Sequence, residues 1–292
     1  MITTSLKIND ILPLTCSRTG TCCHGKQVLL NPWELYCLAR EKKMTTREFR
    51  DLYCDFGGIQ LRFDGKPGWK AQKACSQYVD NFGCSVHLGR PLSCRLYPLG
   101  RQIQSKKAHY IFQGKEFPCL EGCPIVTELP QLSVGEYLEG QQAHSFEIAQ
   151  DIYLDVMQSI ADIAFVLLLE TGLAQSGERQ TLDEWHKMGK ELPEEIEARL
   201  GSEWIDCLML PEIQIQDPIS FAKQHLELIQ YKAQEKFGIL QINQQLHESS
   251  VLMMGVALHL ARGIGANPQD MSELWVETAK NHGAMDSQIH TD

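Results

Sequence analysis

Ten of the eleven cysteines fall within the first 123 residues of this 292-residue chain, and eight of them form three tight groups. The first is Cys16, Cys22 and Cys23. The second is Cys75, Cys84 and Cys94. The third is Cys119 and Cys123. Adjacent cysteines such as Cys22 and Cys23 cannot form a disulfide with each other without strain, whereas both can ligate a metal. Zinc takes four thiolate or imidazole ligands in a tetrahedron, and iron–sulfur clusters are held by about four thiolates. Eight clustered cysteines are enough for one or two such sites. Short spacings place ligands on one loop, and the chain closes the cage by bringing the distant groups together.

Compartment separates metal ligation from a disulfide framework. Met1 to Thr15 carries no apolar h-region, so no secretory signal is expected. The longest apolar segment, Ile160 to Gly172, is short and interrupted by Asp162 and Glu170. No membrane span is expected from it. The expectation is therefore a cytoplasmic protein whose thiols stay reduced, and clustered cysteines there read as metal-binding or redox-active.

Charge divides the chain at the same place as the cysteines. Residues 1–128 hold 18 Lys and Arg against 11 Asp and Glu, a balance of +7; residues 129–292 hold 9 against 26, a balance of −17. Metal-bound thiolates are anions that part of the basic charge can balance. The overall −10 argues against general nucleic-acid binding and leaves a protein partner as the expected macromolecule. The oligomeric state is not legible.

Local patterns complete the expected organisation. Lys26–Leu30 and Ile59–Phe63 read as short strands, with a strong turn at Asp64–Gly68. Asn31-Pro32 begins a helix expected to run to about Lys43, and a second short helix follows Thr46. Leu99–Gln104 and Ala108–Gln113 read as a hairpin. Beyond residue 128 the pattern is helical. Ser133 to Glu136 is a capping box opening a helix to about Thr171, Asp217-Pro218 and Asn267-Pro268 are further helix starts, and Leu240–Arg262 carries an apolar stripe. The expectation is an α+β chain: a small cysteine-rich metal-binding module over residues 1–128, then an acidic all-helical domain of five or six helices over residues 129–292.

The order of these groups resembles the YkgJ-like cysteine-cluster family, a zinc- or iron-chelating domain with a CxxCxxCC signature. Cys16, Gly20, Cys22 and Cys23, the segment Lys26 to Arg40, and Cys84 through Arg90-Pro91, Cys94-Arg95 and Tyr97-Pro98 carry the resemblance. It covers about residues 14–125. Thr19 stands where the family has its second cysteine, and a hydroxyl is a poor substitute for a soft thiolate. The resemblance implies metal chelation, with zinc or an iron–sulfur cluster as cofactor. The expected function is a metal- or cluster-binding protein with a redox or group-transfer role, and the distantly similar flagellin lysine methylase adds a protein lysine methylase-like enzyme as an alternative. The opposing reading is a structural zinc module used for protein–protein contact.

Around the cysteines, His24 and His87 are ligand candidates or structural histidines. Arg90 and Arg95 are candidate binders of a cluster or an anionic cofactor, or structural cations. Cys37, Cys54 and Cys207 read as core or unremarkable thiols. No Ser-His-Asp, His-Glu-x-x-His or P-loop pattern supports hydrolase or nucleotide-driven chemistry.

Overall fold

The computed structural model describes residues 4–12, 20–104, 107–112, 131–171 and 177–284. The chain is α+β: short strands and short helices in the cysteine-bearing region, then long helices. It divides into two compact units. One comprises Met1–Val28, Glu34–Asp55 and Gln60–Ile148; the other comprises Leu29–Trp33, Phe56–Ile59 and Ala149–Asp292.

The first unit is built from small pieces. Its largest sheet has three antiparallel strands in the order β1 (Thr4–Leu6), β8 (Lys107–Phe112), β7 (Leu99–Gln104). The expected hairpin is β7–β8, in register from Leu99 opposite Phe112 to Gln104 opposite Lys107. The added strand β1 carries too little periodicity in three residues to be read from sequence. Three further antiparallel pairs are each two residues long: β2 (Ile11–Leu12) with β9 (Leu132–Ser133), β3 (Cys54–Asp55) with β4 (Gln60–Leu61), and β5 (Tyr78–Val79) with β6 (Gly83–Cys84). Lys26–Leu30 is not a strand. It is tied to the β4 region by single hydrogen bonds, Leu61 N–H to the Val28 carbonyl and Leu30 N–H to the Ile59 carbonyl. Those pairs are too sparse for a ladder, so the apolar run satisfies its burial without one.

Helices α1 (Pro32–Glu41, from Glu34 onward), α2 (Thr46–Tyr53) and α3 (Leu92–Leu96) also belong to this unit, as does the helix Val134–Gly140. Helix α1 stops two residues before the expected Lys43, which instead takes a positive φ of 55°. Thr45 and Glu48 form a reciprocal capping box at the start of α2.

The expected helix from Ser133 to Thr171 is two helices. The capping box forms as read, with the Ser133 hydroxyl accepting from Glu136 N–H, and opens α4 (Val134–Gly140). A turn at residues 141–143, with Gln142 at φ 52°, separates it from α5 (His144–Glu170). Helix α5 is 27 residues long, and by length and composition it could cross a membrane. The sequence reading counted only uninterrupted apolar residues and so missed this. Ala149, Tyr153, Val156, Ile160, Ala164 and Leu167 are buried at helical spacing, the pattern of a core helix.

The second unit continues with α6 (Gly177–Met188), α7 (Pro193–Met209), α8 (Pro218–Phe237), α9 (Asn243–Gly263) and α10 (Pro268–Asn281). Seven helices are therefore described after residue 133, where five or six were expected, and no strand is described between residues 140 and 280. Helix α9 is central. Every residue from Met253 to Gly263 is buried, so its apolar stripe widens to the full circumference. Gly263 is required there, since a Cβ would lie 2.7 Å from the Leu30 carbonyl oxygen. Trp185 and Trp275 are among the largest side chains taken wholly out of water. Aromatic side chains of this class bury about 150–250 Å² each.

Candidate metal centre

The cysteine loops are built by backbone hydrogen bonds rather than by long elements. Thr21–Cys23 forms a single 3-10 turn, closed by Cys23 N–H to the Gly20 carbonyl at 2.9 Å. Gly20 permits this turn because its φ is +76° and a Cβ would collide with the Tyr78 ring at 2.3 Å. The turn is stitched to the second group by Cys75 N–H donating to the Cys23 carbonyl at 2.7 Å, by Gly25 N–H donating to the Lys73 carbonyl at 3.0 Å, and by a bridge between His24 and Ala74. Cys84 lies in β6 opposite Tyr78, and Ser85 N–H donates to the Gln77 carbonyl. The first two cysteine groups are therefore brought together, as a closing cage requires.

Cys94 is in the first turn of α3, a helix of only five residues. Glu34 holds its start. The Glu34 carboxylate, 2% exposed, accepts the Leu92 N–H at 2.7 Å. A carboxylate at a helix N-terminus both satisfies an orphan donor and opposes the helix dipole. Arg95 holds the other side. Its Nε donates to the Arg90 carbonyl at 2.9 Å, Nη1 to the Gln141 carbonyl at 2.6 Å and Nη2 to the Leu88 carbonyl, while the guanidinium stacks 3.7 Å from the centre of the Phe146 ring. Arg90 donates to the His87 carbonyl and the Gln141 side chain. Burial and the neighbouring Arg90 lower Arg95 to about 10. Both arginines, read from sequence as candidate anion binders, are thus engaged by carbonyl and amide oxygens that tie the Arg90–Tyr97 segment to residue 141.

The electrostatics converge on Cys94. The residue is half-buried as a whole, yet packing around its sulfur is dense enough to push the thiol far above its ordinary range. Cys75, Cys84 and Cys22 push it further in that order, and Lys26 opposes them. Cys75 is pushed up to about 11 by burial first and by Cys84 among its neighbours. Burial likewise raises Cys84. Four thiols from three separate segments are thus within electrostatic reach of one another. Such a set is hard to ionise alone, and a bound cation inverts that balance, because a coordinated thiol is deprotonated outright. Soft sulfur donors are the type that zinc and iron–sulfur clusters select. Among the described residues, no group of three or more His, Cys, Asp or Glu side chains stands close enough together to hold a metal ion. Cys16, Cys119 and Cys123 lie outside the described residues, as does Thr19.

The other candidates are placed as follows. Cys23 is half-buried beside Tyr78. The His24 ring is buried, with Nδ1 2.9 Å from the Gly20 carbonyl oxygen and its centre 4.9 Å from that of Tyr78. Cys37 and Cys54 are buried and raised mainly by burial, Cys37 to about 12. Cys207, read as core, is half-buried on α7.

Residues 15–113 match the family model CxxCxxCC, described as a "Putative zinc- or iron-chelating domain". The match covers about a third of the chain and contains Cys16, Cys22, Cys23, Cys75, Cys84 and Cys94. No curated protein and no solved structure matches the chain. Within the chelating-domain segment, the sequence reading missed two residues. Glu34 carries the start of the Cys94 helix. The Lys26 ammonium lies 2.9 Å from the centre of the Tyr97 ring and opposes the rise of Cys94, to which Arg95 is also electrostatically coupled. Neither has a sequence signal of its own, because each acts across more than fifty residues.

Proposed function

We propose that the first unit is a thiolate metal-binding module for zinc or iron, in which Cys22, Cys75, Cys84 and Cys94 are core ligands and Cys16, Cys23, Cys119 and Cys123 supply the remainder. The observation that carries this reading is the electrostatic convergence of three thiols on Cys94 within the segment that matches a chelating domain. Bound metal supplies charge that favours the thiolate form of these desolvated groups. The surrounding residues position the ligands: Gly20 allows the tight Cys22–Cys23 turn, Glu34 holds the start of α3, and Arg90 and Arg95 fix its approach. With few long elements and mostly two-residue strands, this unit gains much of its stability from the metal, since binding free energy to an unformed site is folding free energy.

Metal analysis of the full chain purified without oxygen tests the reading. Stoichiometric zinc in colourless protein identifies a zinc module. Iron with sulfide in a brown protein identifies a cluster. Cys94→Ser should lose the metal, whereas Cys207→Ser should keep it in full. Absence of both metals, or equal retention in the two variants, would overturn the assignment.

A further inference from the structure

The second unit contains an open pocket of about 720 Å³, with Arg199, Gln244 and Glu248 exposed at its surface, that the metal centre does not use. It lies among α6, α7 and α9. Helix α9 contributes Asn243, His247 and Val251 at successive turns, with Gln244, Glu248 and Leu252 beside them. Its volume falls within the range of small-molecule sites, and it combines an apolar wall with a few polar groups. The apolar wall is Val251 and Leu252.

The polar groups discriminate by charge. Among the described residues Arg199 is the cation in the lining, and two carboxylates already hold it, Glu184 at 3.2 Å and Glu191 at 2.7 Å. It is therefore poorly placed to receive an anion. Glu248 adds a second carboxylate to the lining, accepting from Gln244 at 3.1 Å. His247 is oriented by the buried Thr181, with Nδ1 2.8 Å from the hydroxyl oxygen. When Nδ1–H donates to that oxygen, Nε2 carries the ring's acceptor lone pair. The lining then holds a carboxylate and a neutral acceptor above an aliphatic surface.

We propose that this cavity binds an aliphatic amine, with its ammonium group on Glu248 and His247 and its hydrocarbon chain on Val251 and Leu252. Such a ligand pairs the excess carboxylate and covers the apolar wall at once. A neutral alcohol of the same length does only the second, and a dicarboxylate meets Glu248 as a like charge.

Titration calorimetry on the full chain with spermidine tests this, with 1,6-hexanediol and adipate as neutral and anionic probes. Because the chain is acidic, diffuse attraction must be separated from a site. Glu248→Gln removes one charge inside the cavity, and Glu235→Gln removes one on α8 outside it. The expected result is saturable spermidine binding, weakened at least tenfold by Glu248→Gln and less than twofold by Glu235→Gln, with neither control probe matching it. Equal weakening by the two variants, tighter binding of adipate, or no saturable binding would overturn the proposal. Circular dichroism confirms that both variants keep the helical fold.

Discussion

Lowering the pH should destabilise the second unit through its buried histidines, and His225 gives the clearest case. Its ring is wholly buried. Nδ1 accepts from the Tyr153 hydroxyl at 3.0 Å, and Nε2 donates to the Cys207 carbonyl at 3.0 Å. Both nitrogens are therefore used in the neutral form. Burial lowers the ring from 6.5 to about 4, with the Cys207 carbonyl opposing weakly. The folded value lies below the unfolded one, so the stability is present above about pH 6.5 and is lost as pH falls from there toward 4. Between pH 7 and pH 5 the unfolded chain takes up nearly one proton that folded His225 refuses, which costs about 2 kcal/mol. His259 on α9 is lowered to about 3, first by burial and then by Arg262. It adds a similar loss, about 2 kcal/mol, over the same interval.

The assay is urea unfolding at pH 7 and pH 5, followed by tryptophan fluorescence. Four of the five tryptophans, at positions 33, 185, 204 and 275, belong to the second unit, so the signal reports on it. His225→Gln removes the titrating group. The variant will be less stable at both pH values, because the network with Tyr153 is disturbed. The reading is the difference between them. The native chain should lose about 2 kcal/mol more than the variant on going from pH 7 to pH 5. Contributions from carboxylates and from His259 cancel in that comparison. Equal pH losses in the two proteins would refute the claim that His225 folds as a buried neutral ring.

Three further outcomes are expected. Gly57→Ala should cost about 1–3 kcal/mol in thermal or urea unfolding, because φ is +66° and the new Cβ would meet Ile205 at 2.7 Å. Glu34→Ala should weaken the first unit by about 1–3 kcal/mol, since it leaves the Leu92 N–H at the start of α3 without its charged acceptor; metal retention during dialysis against a chelator should fall with it. Asp217→Ala should lower the unfolding midpoint at neutral pH, because the side chain accepts the Ser220 N–H at the start of α8. That hydrogen bond holds the carboxyl below its ordinary pKa, so its stabilisation is lost as pH falls through the folded value and the variant should converge on the native chain in acid.

What could be read from sequence depended on whether the signal was local. Capping chemistry is local: Ser133 with Glu136, Asp217 before Pro218 and Asn267 before Pro268 all mark the helix starts they were read to mark. The β7–β8 hairpin is also local, with its strands two residues apart. The split between α4 and α5 carried a local signal that the sequence reading overlooked, Gly140 at the last position of α4. Distant partners, Arg90 and Arg95, both bond to Gln141 in the turn that follows. The same pair explains how the motif from Arg90 to Tyr97 operates. Its arginines were read as binders of a cluster or anionic cofactor or as structural cations; the donors described bond to carbonyl and amide oxygens around the helix that carries Cys94, with Arg90 and Arg95 coupled electrostatically to Cys84 and Cys94. A short helix of five residues cannot hold a ligand in place by its own hydrogen bonds. Glu34 at its start and Arg95 within it supply that rigidity from outside. Cysteine spacing could therefore point to candidate donors. The braces that aim them depend on contacts between residues such as 34 and 92, or 95 and 141, which only the folded chain brings together.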